Sequence, residues 1–306
     1  MFNNNQRKGL KAWVRYDGNK NAVAGSLIFQ KDKPKVGNWK EYMDVNLCCP
    51  VTTPCIEPLI LEAQPFEQFY EFGLRVNNDN TVAGTIEWGD GTSETFDLTN
   101  DPGYTYFGHT YSTPDWIPYT VKVFFTSVAG IDNLEIGDAP WKTLSASNIS
   151  TVFAGSSIEQ VDGDGSLYVT LDVHDLPITS LYSLECPNLT FLNVQGCTNL
   201  DNTQLYDCAF ETLDFSGCIS LQSADLYDNV NLTQLIIDGC DVLQYLDAGG
   251  CALSTSNVDY IITTLDNSGV TNGNLYLSGG TNGAPSGGVA GNITSLQSKG
   301  WFIQTN

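Results

Sequence analysis

From Leu189 onward the apolar positions recur every ten or eleven residues. Leu189-x-x-Leu192-x-Val194-x-x-Cys197 is followed by Leu200-x-x-Thr203-x-Leu205-x-x-Cys208 and Phe210-x-x-Leu213-x-Phe215-x-x-Cys218, and three further units occupy 221–229, 232–240 and 243–251. The alternation inside each unit predicts a short strand. The last position holds Cys five times and Asn once. Weaker units trace back through Ile178, Leu167, Ile158 and Ile149 to about Ile131. One coil of a stacked-repeat fold needs about 20 residues or more. Two units therefore make one coil, with a short strand on each of two faces. At the Cys/Asn position a small side chain turned inward would satisfy the backbone where the chain leaves the strand.

The pattern changes on either side. Residues 56–128 alternate in several short runs, such as Thr85-Ile86-Glu87-Trp88 and Tyr119-Thr120-Val121-Lys122-Val123-Phe124, the period of half-buried strands, which predicts a β-sandwich. Residues 10–41 read as strands at 12–16 and 23–29 joined by an Asp17-Gly18-Asn19 turn, and 48–58 as a linker. Past Cys251 the repeat stops. Ser254 caps an amphipathic helix carrying Val258, Ile261, Ile262 and Leu265, then come a strand at 274–277, a Gly-rich loop, a short helix near 293–298 and a strand at 301–303. Gly279-Gly280-Thr281-Asn282-Gly283 lacks the Gly-Lys-Ser/Thr ending of a phosphate cradle and reads as a plain loop.

The expected fold is thus mainly β and multidomain. It comprises a small β N-terminal module with linker (1–55), a β-sandwich (56–128), a repeat β-solenoid (129–253) and a small α/β C-terminal cap (254–306).

Charge divides the chain. The formal net charge is −22, yet nine of the 13 Lys and Arg residues lie between Arg7 and Lys40, so residues 1–55 carry +5 and the remainder −27. The acidic part would repel nucleic acid and anionic membranes, so neither is expected as a partner. The basic start suits docking on something acidic. No stretch has the roughly 18 apolar residues of a membrane span, and residues 1–16 lack the apolar core of a secretory signal. Folding in a cytoplasm is expected. Most of the nine cysteines fall at repeat positions, which predicts packed, reduced thiols. Cys48, Cys49 and Cys55 have neither a nearby His nor C-x-x-C spacing, so no metal is expected there.

Three resemblances add to this reading. The repeat resembles the L-x-x-L-x-L-x-x-N/C signature of leucine-rich repeats. Trp88-Gly89-Asp90-Gly91-Thr92, with Gly108-His109-Thr110-Tyr111 and Tyr119-x-Val121-x-Val123, resembles the polycystic-kidney-disease-type (PKD-type) immunoglobulin-like domain. That likeness implies a spacer or adhesion module in which His109 is structural. Trp13-Val14-Arg15-Tyr16-Asp17-Gly18, with Gly25-Ser26-Leu27-Ile28, Pro34-Lys35-x-Gly37-x-Trp39 and Cys48-Cys49, resembles the opening of virion proteins of tailed Bacteroidetes phages, including crAss-like phages. It implies that Trp13, Arg15 and Trp39 belong to a module anchoring the chain to a particle.

Catalysis is not expected. His174 stands between Val173 and Asp175 without a partner legible in sequence, and the 35 carboxylates single out no pair. Asp162-Gly163-Asp164-Gly165 and Asn77-Asn78-Asp79-Asn80 offer oxygen ligands without EF-hand spacing. Turn formation is the plainer reading, so no cofactor is expected and structural calcium stays an open alternative. For binding, Tyr206 and Tyr227 stand 21 residues apart at equivalent outward positions, which would stack them on neighbouring coils, flanked by Asp225, Asp247 and Asn193. Aromatic faces with carboxylates and amides suit a sugar or protein ligand. The functional expectation is a non-enzymatic virion appendage, a head fibre or tail-associated protein. It would be made in the bacterial host cytoplasm, displayed on the virion surface as a homo-oligomer, bound to capsid or tail proteins through residues 1–55, and would contact a host-surface protein or glycan. A bacterial surface adhesin and an intracellular repeat scaffold are the alternatives.

Overall fold

The structure is a computed structural model of the chain. It describes residues 58–63, 69–76, 82–98, 103–111, 119–136, 149–154, 156–165 and 169–306, with strand segments at 11–16, 28–30, 38–41 and 145–146. The fold is mainly β, with several sheets and a small helical contribution near the C-terminus. The chain divides into two compact units, Met1–Cys55 and Ile56–Asn306.

In the first unit β1 (Lys11–Tyr16) lies between β2 (Ile28–Gln30) and β3 (Asn38–Glu41), antiparallel to both. The register sets Trp13 opposite Ile28 and Arg15 opposite Trp39. The expected turn at 17–19 and the side chains of Trp13, Arg15 and Trp39 lie outside the described residues.

In the second unit β4 (Leu59–Ala63), β5 (Phe69–Val76), β6 (Ala83–Glu87), β7 (Ser93–Asp97), β8 (Gly103–Thr110), β9 (Tyr119–Phe125) and β10 (Ile131–Glu135) come first. Antiparallel pairing gives one sheet in the order β4-β9-β6-β7, while β5 pairs with β8 in another. Strand alternation turns Leu59, Leu61, Ile86, Val121 and Val123 inward on the first sheet and Phe72, Leu74 and Val76 on the second. Phe107 on β8 reaches both Phe72 (5.3 Å) and Phe96 on β7 (5.0 Å), so the two sheets pack face to face.

β10 then joins this layer to the repeat region. It is antiparallel to β5 and parallel to β12 (Gln160–Asp162), so the sheet runs on across residue 128 without a break. From here three-residue strands alternate between two faces. β12, β14 (Ser180–Tyr182), β16 (Asn202–Gln204), β18 (Ser223–Asp225) and β20 (Tyr245–Asp247) extend the sheet. The strands between them form ladders on the opposite face. These are β11 (Ser145–Ala146), β13 (Thr170–Asp172), β15 (Phe191–Asn193), β17 (Thr212–Asp214) and β19 (Gln234–Ile236). Each strand is short because only its middle residue points into the column, as Val161, Leu171, Leu181, Leu192, Leu213 and Leu246 do, before the chain turns. Alternate strands pairing 20 to 22 residues apart is what two eleven-residue units per coil require.

The corner has its own rule. Three residues after a strand the backbone is left-handed, at Asp175, Glu185, Gly196, Asp207, Gly217, Asp228, Gly239 and Gly250. Glycine takes this conformation freely and aspartate tolerates it, while Glu185 adopts it without either advantage. From Glu185 onward the next residue is the Cys/Asn column; after Asp175 it is Leu176. The thiols of Cys197, Cys208, Cys240 and Cys251 donate to Val173 O, Ser183 O, Phe215 O and Leu226 O on the preceding coil. Asn229 Nδ2 donates equivalently to Leu205 O at 2.7 Å. The six repeat cysteines are buried and free of disulfides. Burial pushes Cys197, Cys240 and Cys251 up to about 12, which keeps the thiol proton needed for this bond.

The last two coils are wider. β21 (Asn274–Leu277) and β22 (Phe302–Thr305) continue the sheet in parallel, giving ten strands in the order β22-β21-β20-β18-β16-β14-β12-β10-β5-β8. Helices α2 (Thr255–Ser268) and α3 (Ala290–Ser298) stand where the second ladder would have continued; a single helical turn, α1 (Ile149–Val152), precedes them in the chain. Ser254 caps α2 by accepting from Asn257 N, and Gly269 ends it in the left-handed region. The edge of β19 is closed by side chains of α2. Asn257 bonds both Leu235 N and Leu235 O, and Tyr260 accepts from Ile237 N, so an amide and a phenol stand in for a further strand.

Candidate functional site

The outer face of the ten-stranded sheet brings side chains into register across all ten strands. Cross-strand register arranges it in two rows. One runs Tyr104, Arg75, Asn133, Gln160, Ser180, Asn202, Ser223, Tyr245, Asn274, Phe302; the other runs Tyr106, Gly73, Glu135, Asp162, Tyr182, Gln204, Asp225, Asp247, Tyr276, Gln304. At a strand spacing of about 4.8 Å, nine intervals span about 43 Å. The first row is almost wholly uncharged and polar between aromatic ends. The second carries four carboxylates and no cation.

Two of the sequence-derived candidates fall in this row. Asp225 and Asp247 are directly opposite on β18 and β20. Burial raises the Asp247 carboxyl, its bond from Gly249 N lowers it, and the charges of Asp225 and Asp228 raise it further. Tyr206 and Tyr227 sit at successive corners beside this row, joined by Asp207 N donating to Tyr227 O. They are on neighbouring coils, but the Tyr227 ring leans along the stack. A methyl group built on Gly249 would lie 3.4 Å from Tyr227 Cδ2 and 3.0 Å from Asp247 Oδ1. Tyr227, Asp225 and Asp247 therefore form one cluster. Asn193 does not join them, because β15 lies in the ladder on the opposite face; its Oδ1 accepts from Gln195 N.

Sequence reasoning missed the aromatic ends. Tyr245, Tyr276 and Phe302 follow one another with ring centroids 5.9 and 5.5 Å apart. Tyr104 and Tyr106 have ring planes within 15° and centroids 6.1 Å apart. The Tyr-x-Tyr spacing at 104–106 was the available signal, since period two puts both on one face. The pairing of β8 with β5 and of β5 with β10, which adds that face to the repeat sheet, left no local trace.

The histidines have structural partners. The His109 ring stacks on Trp88 at 4.9 Å, meets Tyr111 edge-on, and its Nε2 is 2.9 Å from Asp90 Oδ2. Asp90 also accepts from Thr92 N and Thr92 Oγ1, and Tyr111 donates to Trp88 O. Burial pulls the Asp90 carboxyl upward, but the Thr92 and His109 bonds outweigh it and hold the group at about 2, below its ordinary 3.8. A depressed folded-state value contributes stability above the unfolded value that is lost as pH falls through the folded one. The melting-temperature advantage of the native chain over Asp90→Asn is therefore expected to be full at neutral pH, to shrink below about pH 4 and to be lost as pH falls through about 2. Thermal melts at stepped pH read this out, and an advantage constant down to about pH 2 would contradict it. His174 Nδ1 lies 2.6 Å from Asp172 Oδ1, tying it to its own turn.

Asp162 and Asp164 serve backbone amides: Asp162 Oδ1 accepts from Asp164 N, and Asp164 Oδ1 from Leu184 N on the next coil. Residues 77–80, Cys48, Cys49 and Cys55 lie outside the described residues. No group of three metal-ligating side chains is found among the described residues. In the Gly-rich loop, Asn282 is buried, bonding Ala248 O, Leu277 O and Leu253 N as Asn229 does in its coil. A groove of about 610 Å3 lies between β19 and α2, and the polar atoms of Asn257 and Tyr260 in its wall are committed to the β19 edge. No helix of the described residues is long and apolar enough to cross a membrane.

Comparison with protein families, with curated proteins and with solved structures finds no match to this chain.

Proposed function

We propose that the chain is a non-catalytic attachment protein, an appendage of a tailed-phage particle. In this reading residues 1–55 dock on the particle, a PKD-type immunoglobulin-like layer comes next, and a leucine-rich-repeat-like solenoid is presented outward to a host-surface protein or glycan. The observation that carries it is the outer sheet face, an ordered row of carboxylates, amides and aromatic rings about 43 Å long, whose side chains go beyond what the fold needs. The two face-to-face sheets around Trp88 support the immunoglobulin-like reading. The alternating ladders and the Cys/Asn spine support the repeat reading. The split between a +5 start and a −27 remainder supports separate tasks. A bacterial surface adhesin would use the same face without the particle.

Sedimentation with tailed-phage heads stripped of appendages, over a salt series, tests the reading. Binding should weaken as the Debye length falls from about 10 Å to about 3 Å, and Arg15→Glu or Trp39→Ala should weaken it further. Binding to bacterial cells alone, lowered by Tyr227→Ala, would transfer the reading to the adhesin. Binding to neither removes the attachment function.

A further inference from the structure

The β8 end of the sheet face is built more like a ligand site than the Tyr227–Asp247 cluster is. There Tyr104 and Tyr106 are 42% and 50% exposed. An exposed tyrosine normally turns freely, but both of these are held. Tyr106 donates to Glu135 Oε2 at 2.8 Å, two strands away. To reach it the ring lies over Gly73, where a Cβ would be 2.9 Å from Tyr106 Cε1. Tyr104 is covered on one side by the Arg75 guanidinium, 5.5 Å from the ring centroid, and Arg75 is itself fixed by Asp132 at 2.8 Å. Ordering large exposed side chains costs conformational entropy, and solvent-facing rings return little burial for it.

The second observation is independent. Asn133, opposite Arg75 in the same cross-strand row, is 0% exposed, and neither its Oδ1 nor its Nδ2 has a hydrogen-bond partner among the described residues. A buried unpartnered amide is destabilising, and a valine or leucine there would avoid the cost. A residue that harms the fold beside a rigid exposed platform is the pattern of a functional site.

We propose that Tyr104, Tyr106, Arg75, Glu135 and Asn133 form a binding site for an uncharged pyranose saccharide, separate from the Tyr227–Asp247 cluster. The apolar C–H face of a pyranose ring packs on the tyrosines. Its hydroxyls donate to the Glu135 carboxylate and accept from Arg75, and a hydroxyl that reaches the buried Asn133 amide supplies the partner the fold leaves out. Charge selects against anionic polymers, because Arg75 is already paired with Asp132, and Glu135 and Asp162 stand opposite each other in the neighbouring row.

The test is titration calorimetry of the full chain with cellohexaose, mannohexaose and chitohexaose, with polygalacturonate as the anionic comparison and a lysine-rich peptide as the cationic one. At least one neutral hexaose should bind. Tyr104→Ala and Tyr106→Ala should each weaken it about tenfold, while Tyr227→Ala should not. Asn133→Val should weaken binding while leaving the melting temperature equal or higher, a combination that a merely structural residue would not give. No binding of any neutral hexaose, binding indifferent to Tyr104 and Tyr106, or capture of only the peptide or the polygalacturonate would each overturn the proposal. None of these outcomes depends on whether the chain binds phage particles.

Discussion

Replacing Asn229 with leucine is expected to destabilise the repeat stack by about 3–5 kcal/mol, the sum for several buried backbone groups left without partners. The Asn229 side chain is fully buried. Its Oδ1 accepts from Cys208 N, and its Nδ2 donates to Leu205 O on the previous coil and to Leu226 O on its own. Leucine matches the volume but leaves all three stranded in the column. Asn229→Cys should cost only about 1 kcal/mol, because cysteine does most of the same work elsewhere. Cys251 donates to Leu226 O while its sulfur accepts from the backbone N–H of Asn229, and Cys197 relates likewise to Val173 O and the N–H of Leu176. Urea unfolding of the two variants side by side decides the matter. Equal destabilisation by Leu and Cys would mean that the column acts by volume and not by hydrogen bonding.

That exchange explains why the repeat was legible at all. From Cys186 to Cys251 the column holds only residues able both to accept from one backbone amide and to donate to a carbonyl, so Cys and Asn recur on a fixed period beside the inward leucines. The corner before it was harder to read. Its requirement is conformational, a positive φ, and the chain meets it with Gly196, Gly217, Gly239 and Gly250 but also with Asp207, Asp228 and Glu185, which share no chemistry in a sequence. The glycines are not equivalent either. A Cβ on Gly196 would fall 2.0 Å from Asp175 Oδ1, whereas on Gly217 it would meet nothing within 4 Å. Of the binding candidates, Asp225 and Asp247 were recoverable because a spacing of one coil predicts stacking, and Tyr227 follows Asp225 by two residues. Asn193 was misplaced because units alternate between faces, so neighbours in sequence are not neighbours on a sheet.

The joint between the two halves of the second unit was not legible, since β5 ends at Val76, β10 begins only at Ile131, and neither strand carries a pairing signal. It nonetheless makes a strong expectation. Leu134 is fully buried and lies in register with Leu74 on β5 and Val161 on β12, so one side chain packs under both the antiparallel and the parallel pairing. Leu134→Ala should cost about 2–5 kcal/mol, the transfer term plus a cavity that two paired neighbours keep from collapsing. Because the strand belongs to both halves, the loss should appear on both sides of it. Amide hydrogen exchange should quicken together in β5 and β8 and in β12 and β14, and the urea transition should stay single with a lower midpoint. Stacked repeats ordinarily transmit a defect only to their nearest neighbours. Faster exchange confined to 131–136 and 156–165, with β5 and β8 as protected as before, would show that the sheet is continuous in geometry but not in cooperativity.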